Sequence, residues 1–168
     1  MTHESEEAFM NLRPRAAAVI LNEHNELLVL RQKDPCTGFE WWTLPGGGME
    51  PEESVIDTIV REVEEECHVR CRPMQLIYMS EYVDYSINTH HLGMFFLTSV
   101  DNIEDLEVGT DPEIAEQYIK ECRFISEQEL KSSCIPIFPP VFKDQFWEDL
   151  KIDFIGHEIY QRGQIETQ

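Results

Sequence analysis

Basic residues are scarce in this chain. Thirteen lysines and arginines face 33 aspartates and glutamates, leaving a formal charge of −20 over 168 residues. A surface that acidic repels phosphate backbones, which argues against a nucleic-acid-binding protein. Long apolar runs are lacking too. No stretch approaches the ~20 apolar residues of a membrane span, and the opening MTHESEEAFMN has no signal-peptide core. Ordered cysteine spacing is also absent. The five cysteines, at 36, 67, 71, 122 and 134, are odd in number and contain no CxxC pair. Cys67-His68 with Cys71 lacks the second ligand pair of a zinc site. Reduced thiols in a cytoplasm fit best. Repeats and a second-domain linker are missing, so a single domain is expected.

What is present suits a packed core. Apolar residues make up 42% and aromatics 10%, above the range of disordered chains. The length suits one compact domain and is short for two. Residues 1–12 read as a polar leader, 13–160 as the domain and 161–168 as a polar tail. The excess of carboxylates attracts divalent cations. Such cations would also shield a polyanionic substrate.

Arg15–Leu21 and Glu26–Arg31 are apolar runs separated by the turn formers Asn22–Asn25 and read as a β-hairpin. Asp34-Pro35 and Gly38 mark a loop over 32–40. Trp41–Leu44 is a short extended piece that runs into Pro45 and a turn of three glycines, Gly46, Gly47 and Gly48. A helix follows. Pro51 suits its first turn, and Glu50, Glu52 and Glu53 suit the positive end of its dipole. Val55, Ile56, Ile59, Val60 and Val63 recur at helical spacing, and the helix ends near Cys67-His68. Extended segments are expected at 69–84, 88–100 and 119–125, the first two paired across Asp84–Asn88. Residues 101–117 read as an acidic surface loop. Ser126 caps a short helix to Lys131, with Glu129 completing a capping box. Phe142, Phe146 and Leu150 fall four apart, as on a helix packed against the domain.

The chemistry concentrates between Gly46 and Val69. At about 100° per residue, the apolar side chains of this helix cover an arc of roughly 140°, and Glu62, Glu65 and Glu66 share an adjoining arc of roughly 100°. An acidic helix face is ordinarily just solvated. Here three like charges on neighbouring turns repel one another, and hard cations such as Mg²⁺ prefer oxygen ligands of this kind. A cation so held can grip a pyrophosphate and help generate hydroxide. Arg61 is placed to pair with Glu53. The glycines let backbone atoms approach a metal or phosphate without an intervening Cβ.

The stretch from Gly47 to Val69 resembles the Nudix box. That pattern is Gly, five residues, Glu, seven residues, Arg-Glu, an aliphatic, one residue, Glu-Glu, one residue, Gly, and an aliphatic. Gly47, Glu53, Arg61, Glu62, Val63, Glu65, Glu66 and Val69 match in register over 23 residues, and His68 replaces the second glycine. The resemblance implies an α/β fold, an α/β/α sandwich with a mixed sheet. It implies metal-dependent hydrolysis of a nucleoside diphosphate linked to another moiety, such as an ADP-sugar. Glu62, Glu65 and Glu66 would ligate Mg²⁺ or Mn²⁺ with the Gly46 carbonyl, and Glu53 with Arg61 would form the supporting salt bridge. The partner is then a small-molecule nucleotide, and the family's habit of dimerising raises a homodimer. A pyrophosphatase for oxidised nucleoside triphosphates and a non-catalytic nucleotide-binding module are the alternatives. His68 is the feature that favours the module.

Other residues are less decided. One of Trp41 and Trp42 belongs to the core and the other can stack on a base, because neighbouring strand residues point to opposite faces. Gly47 and Gly48 are candidates for phosphate contact. His90 and His91 are expected to be structural histidines with satisfied rings. The catalytic base is one of Glu104, Glu107, Glu113 and Glu116 in the acidic loop, or Glu65 or Glu66 itself.

Overall fold

The computed structural model describes residues 10–109, 118–161 and 163. Two sheets share the interior. The first holds β1 (Asn11–Val19), β4 (Gly46–Gly48), β5 (Cys71–Asp84), β6 (Thr89–Val100) and β8 (Tyr160–Gln161), in the order β4-β1-β6-β5-β8. It is mixed, with β1 parallel to β6 and antiparallel to β4. The second holds β2 (Leu27–Lys33), β3 (Glu40–Thr43) and β7 (Ile119–Ile125), in the order β3-β2-β7. Among the described residues, three helices flank them: α1 (Val55–Cys67), α2 (Glu127–Ser132) and α3 (Gln145–Lys151).

Alternation along the strands builds two cores. Ala16, Ala18 and Ile20, with Leu28 and Leu30, pack under Ile59, Val63 and Cys67 of α1. The intervening Val19, Leu27 and Val29 pack on the other side with Trp42, Tyr78, Phe95, Leu130 of α2, and Phe142, Phe146 and Trp147 around α3. The small alanines let α1 approach the sheet closely. The result is the expected α/β class, with helices on both sides of sheet. Among the described residues no helix is long and apolar enough to cross a membrane.

The expected hairpin of β1 and β2 is corrected. Its turn forms: the Asn22 side chain accepts from the amides of His24 and Glu26, each at 2.9 Å. Pairing then stops after Leu21–Leu27, and the strands enter different sheets. Leu27–Leu30 of β2 are all buried, and β1 is buried at Ala16, Ala18 and Val19, so each strand takes two ladder partners of its own. β1 also begins at Asn11, inside the segment read as leader. The 71–84 and 89–100 strands do form a long hairpin, closing at Asp84–Thr89.

The three glycines are not a turn but the edge strand β4, paired with Arg15–Ala17. The start of α1 also differs. Ser54 is the N-cap, accepting from the Asp57 amide, while Asp57 accepts from the Ser54 amide in return. Pro51 and Glu52 form a turn ahead of the helix, with Glu52 at φ 70°. At the other end, the amides of Glu107 and Gly109 donate to the carbonyls of Cys67 (3.2 Å) and Glu66 (2.7 Å). These bonds satisfy carbonyls the helix cannot pair internally. Ser126 caps α2 through the Glu129 amide, but the Glu129 carboxylate turns to Arg123 instead of closing the box. The final turn is held by His157, whose ring lies between the carbonyls of Phe154 and Ile77.

Candidate functional site

The buried face of α1 does not coincide with its apolar residues. Thr58, Ile59, Glu62, Val63, Glu66 and Cys67 are buried, whereas Ile56 is exposed. On the helical wheel this places Glu62 and Glu66 within the buried arc rather than on its flank. Glu62 is only 9% exposed and Glu66 only 5%. Burying carboxylates is costly without partners, and two partners are present.

The first is the backbone of β4. The Gly46 amide donates to Glu66 Oε2 at 2.8 Å. Glu62 lies directly against Gly47, where an added Cβ would stand 2.1 Å from Glu62 Oε1. Only glycine admits that carboxylate.

The second partner is Arg61. Its Nε and Nη2 grip the two oxygens of Glu53 at 2.7 and 3.1 Å. Its Nη1 reaches Glu62 Oε1 at 3.0 Å and Glu65 Oε2 at 3.3 Å. Its Nη2 also donates to the Gly48 carbonyl at 3.2 Å. One guanidinium thus ties the turn before α1, two turns of the helix and the end of β4 together. Hydrogen bonding from Arg61 holds the Glu53 carboxyl down at about 2. Glu62 moves the other way, because burial raises its pKa more than Arg61 and the nearby Arg15 lower it.

Among the described residues, no three carboxylate, thiol or imidazole groups are arranged around a common point for a cation. The hydrogen bonds explain this: Glu62 and Glu65 turn to Arg61, and Glu66 turns to Gly46. The donor set still fits a hard divalent cation, since it consists of carboxylate oxygens on adjoining helical turns beside a side-chain-free strand. The gap left by the missing Cβ of Gly47 is already filled by the Glu62 carboxylate, so this acid is held at the β4 backbone.

The remaining candidates scatter. Trp42 is buried, with its indole near Ser133 Oγ at 3.4 Å and Arg123 over its ring. Trp41 is half-buried, stacked on Phe39 and edge-on to Tyr118. It makes no ring contact with α1 or β4 among the described residues. Glu104 and Glu107 are exposed, beside a 3-10 turn at Ile103–Asp105. Glu113 and Glu116 lie outside the described residues. His90 contacts Glu81 at 2.9 Å. His91 corrects the expectation of a satisfied ring: it is 5% exposed, and neither nitrogen has a hydrogen-bond partner among the described residues.

Two residues were missed by the sequence reading. Arg13 and Arg15 face the site from β1, with Gly48 packed beside Arg13. A signal was available. Arginines two apart in a strand share a face, and cations are scarce in this chain. His68 closes α1 in the left-handed conformation, φ 58° and ψ 27°, the geometry that a glycine at this position would favour.

Comparison with known proteins places the fold. A mouse 8-oxo-dGDP phosphatase, NUDT18, is 34% identical over 104 residues, which are 58% of this chain and 32% of that protein. Mouse diphosphoinositol polyphosphate phosphohydrolase 2 is 35% identical over 98 residues, 56% of this chain and 51% of that protein. The matched stretch thus spans about a third to a half of these curated relatives. Among solved structures, a MutT protein from Methanosarcina mazei superposes with a TM-score of 0.66 at 22% identity, over 85% of this chain and 96% of that one. A NUDIX hydrolase from Nitrosomonas europaea does so with a TM-score of 0.66 at 24% identity, over 85% and 90%. These likenesses describe the fold. The sequence profile of the NUDIX domain matches residues 11–145, and the chain belongs to the Nudix family.

Proposed function

We propose that the chain is a metal-dependent hydrolase that cuts the phosphoanhydride bond of a nucleoside diphosphate linked to another moiety. The observation that carries this reading is the meeting of Glu53, Glu62 and Glu65 on Arg61, beside the Gly46 amide that holds Glu66.

Glu62, Glu65 and Glu66, with the Gly46 carbonyl, would hold Mg²⁺ or Mn²⁺, which neutralises diphosphate charge and acidifies a water. The chain's own residues do the rest. Arg61 and Glu53 fix the spacing between the turn at 50–53 and the helix. The glycines of β4 keep side chains out of the space beside Glu62 and Glu66. The burial of Glu62 would strengthen its interaction with a cation held there. In the net reaction, water adds at one phosphorus and the bridging P–O bond breaks, releasing two phosphate-bearing products.

The names of the relatives extend the substrates to be tried to oxidised nucleoside diphosphates and diphosphorylated polyols. The test is a panel of ADP-sugars, 8-oxo-dGDP, dinucleoside polyphosphates and a diphosphoinositol polyphosphate, with Mg²⁺ and with Mn²⁺. Turnover that requires metal and falls by about two orders of magnitude in Glu66→Gln is expected. Metal-independent turnover, none at all, or an unaffected variant overturns the reading and leaves a binding module.

A further inference from the structure

Among the described residues, His91 is the one side chain with two buried ring nitrogens that lack a hydrogen-bond partner. Its ring is buried and stacked flat on Tyr82, with centroids 4.5 Å apart and planes 7° from parallel. Neither nitrogen has a partner among the described residues, although buried polar groups are nearly always hydrogen-bonded. The register shows what surrounds it. His91 pairs with Arg13 on β1 and Tyr82 on β5, and Gly93, two residues along, pairs with Arg15 and Ser80. Arg13, Arg15, His91 and Tyr82 therefore share one face. Arg13 and Arg15, like Arg70 and Arg72, form no ion pair among the described residues, whereas Arg31, Arg61 and Arg123 do. What sets Arg13 and Arg15 apart is that they share a face with His91. The acid on this side, Asp84, is occupied by the amide and hydroxyl of Ser86. His90, on the opposite face of β6, is taken by Glu81. Burial and the two guanidiniums push the His91 pKa down, which keeps the ring neutral with one N–H to donate.

This face adjoins the acidic helix. A Cβ on Gly48 would lie 3.4 Å from Arg13 Nε and Nη2, and Arg15 acts electrostatically on both Glu62 and His91.

We propose that Arg13, Arg15 and His91, backed by Tyr82, form an anion subsite that takes a phosphate group of the substrate beyond the diphosphate presented to Glu62 and Glu66. Guanidiniums with no carboxylate partner among the described residues offer the forked donors that phosphate oxygens accept. His91 supplies a further donor from the floor of the site. The subsite selects small molecules that carry a phosphate in addition to the bond that is cut. Its placement rests on the reading of α1 as the hydrolytic flank, but binding of the anion does not.

The test is titration of the metal-free protein, followed through the ¹⁵N signals of the His91 ring and by calorimetry. Two sources could supply the extra group, the third phosphate of a linear chain or a phosphate ester on the leaving moiety. Inorganic triphosphate probes the first and glucose 1,6-bisphosphate the second. Whichever shifts the His91 signals assigns the source. Arg13→Gln and Arg15→Gln should each weaken that binding about tenfold, and His91→Phe, which keeps the stack on Tyr82, by several-fold. Arg72→Gln, set far along β5 opposite Ser99, should leave it unchanged. Silent His91 signals with both probes, or equal losses in Arg72→Gln, overturn the subsite. Because no turnover is read, failure here is separable from inactivity of the Glu62–Glu66 flank.

Discussion

Arg61 holds Glu53 with two edges of its guanidinium, Nε to Oε1 at 2.7 Å and Nη2 to Oε2 at 3.1 Å. The same group reaches Glu62 and Glu65 with its third nitrogen. A lysine cannot span these positions, because an ammonium is a point charge rather than a planar fork. Arg61→Lys should therefore keep the fold while turnover drops by about tenfold or more. Comparable turnover with unchanged melting would show that the hub is not needed.

The Glu53 pair also sets a pH dependence. Its folded-state pKa, about 2, lies below the ordinary value of 4.5. The contribution to stability is thus complete above the unfolded value and fades as pH falls from about 4.5 toward 2. Melting temperatures of wild type and Glu53→Gln should differ at neutral pH and converge through that acidic window. A constant gap across it would contradict the pairing.

Gly47 and Gly38 make a matched test of two different demands on glycine. At Gly47 a Cβ would collide with the Glu62 carboxylate, while at Gly38 the space is open and only φ 74° is restrictive. Gly47→Ala should displace Glu62, costing about 1–3 kcal/mol and abolishing turnover. Gly38→Ala should cost about 1 kcal/mol and leave turnover intact. Chemical denaturation with parallel assays distinguishes them, and equal effects would deny the contact at Gly47 its significance.

His68 departs from the family pattern yet occupies the left-handed region, at φ 58°. His68→Gly removes the steric cost but loosens the unfolded chain, so the two effects largely cancel. Stability should change by less than about 1 kcal/mol, with turnover within twofold of wild type. A large gain in turnover would mean that the histidine distorts the helix end and impairs the site.

Legibility in the sequence followed the physics of each segment. The span of α1 was readable because Val55, Ile59 and Val63 repeat with the helix and eight positions around them fall in the family's register. Its first residue was misplaced, since Pro51 and the acids at 50, 52 and 53 imitate a first turn while Ser54 and Asp57 cap the helix. The depth of Glu62 and Glu66 was not visible. Apolarity points the buried face toward Ile56 and Val60, and only the approach of the β4 backbone turns it toward the acids. The hairpin failed for a related reason, because continuous apolar runs such as Leu27–Leu30 signal burial on both faces without naming the partner strand. The pairing of Tyr160–Gln161 with β5 had no local signal. The spacing of Arg13 and Arg15 puts them on one strand face, but only the pairing of β1 with β6 sets them beside His91.

The central claim is that Glu62, Glu65 and Glu66 together hold a divalent cation against a diphosphate. The most direct measurement is Mn²⁺ binding, by electron paramagnetic resonance, to wild type and to Glu62→Gln, Glu65→Gln and Glu66→Gln. Binding weakened at least about tenfold by each substitution is predicted. Undiminished Mn²⁺ affinity in all three variants would contradict the account.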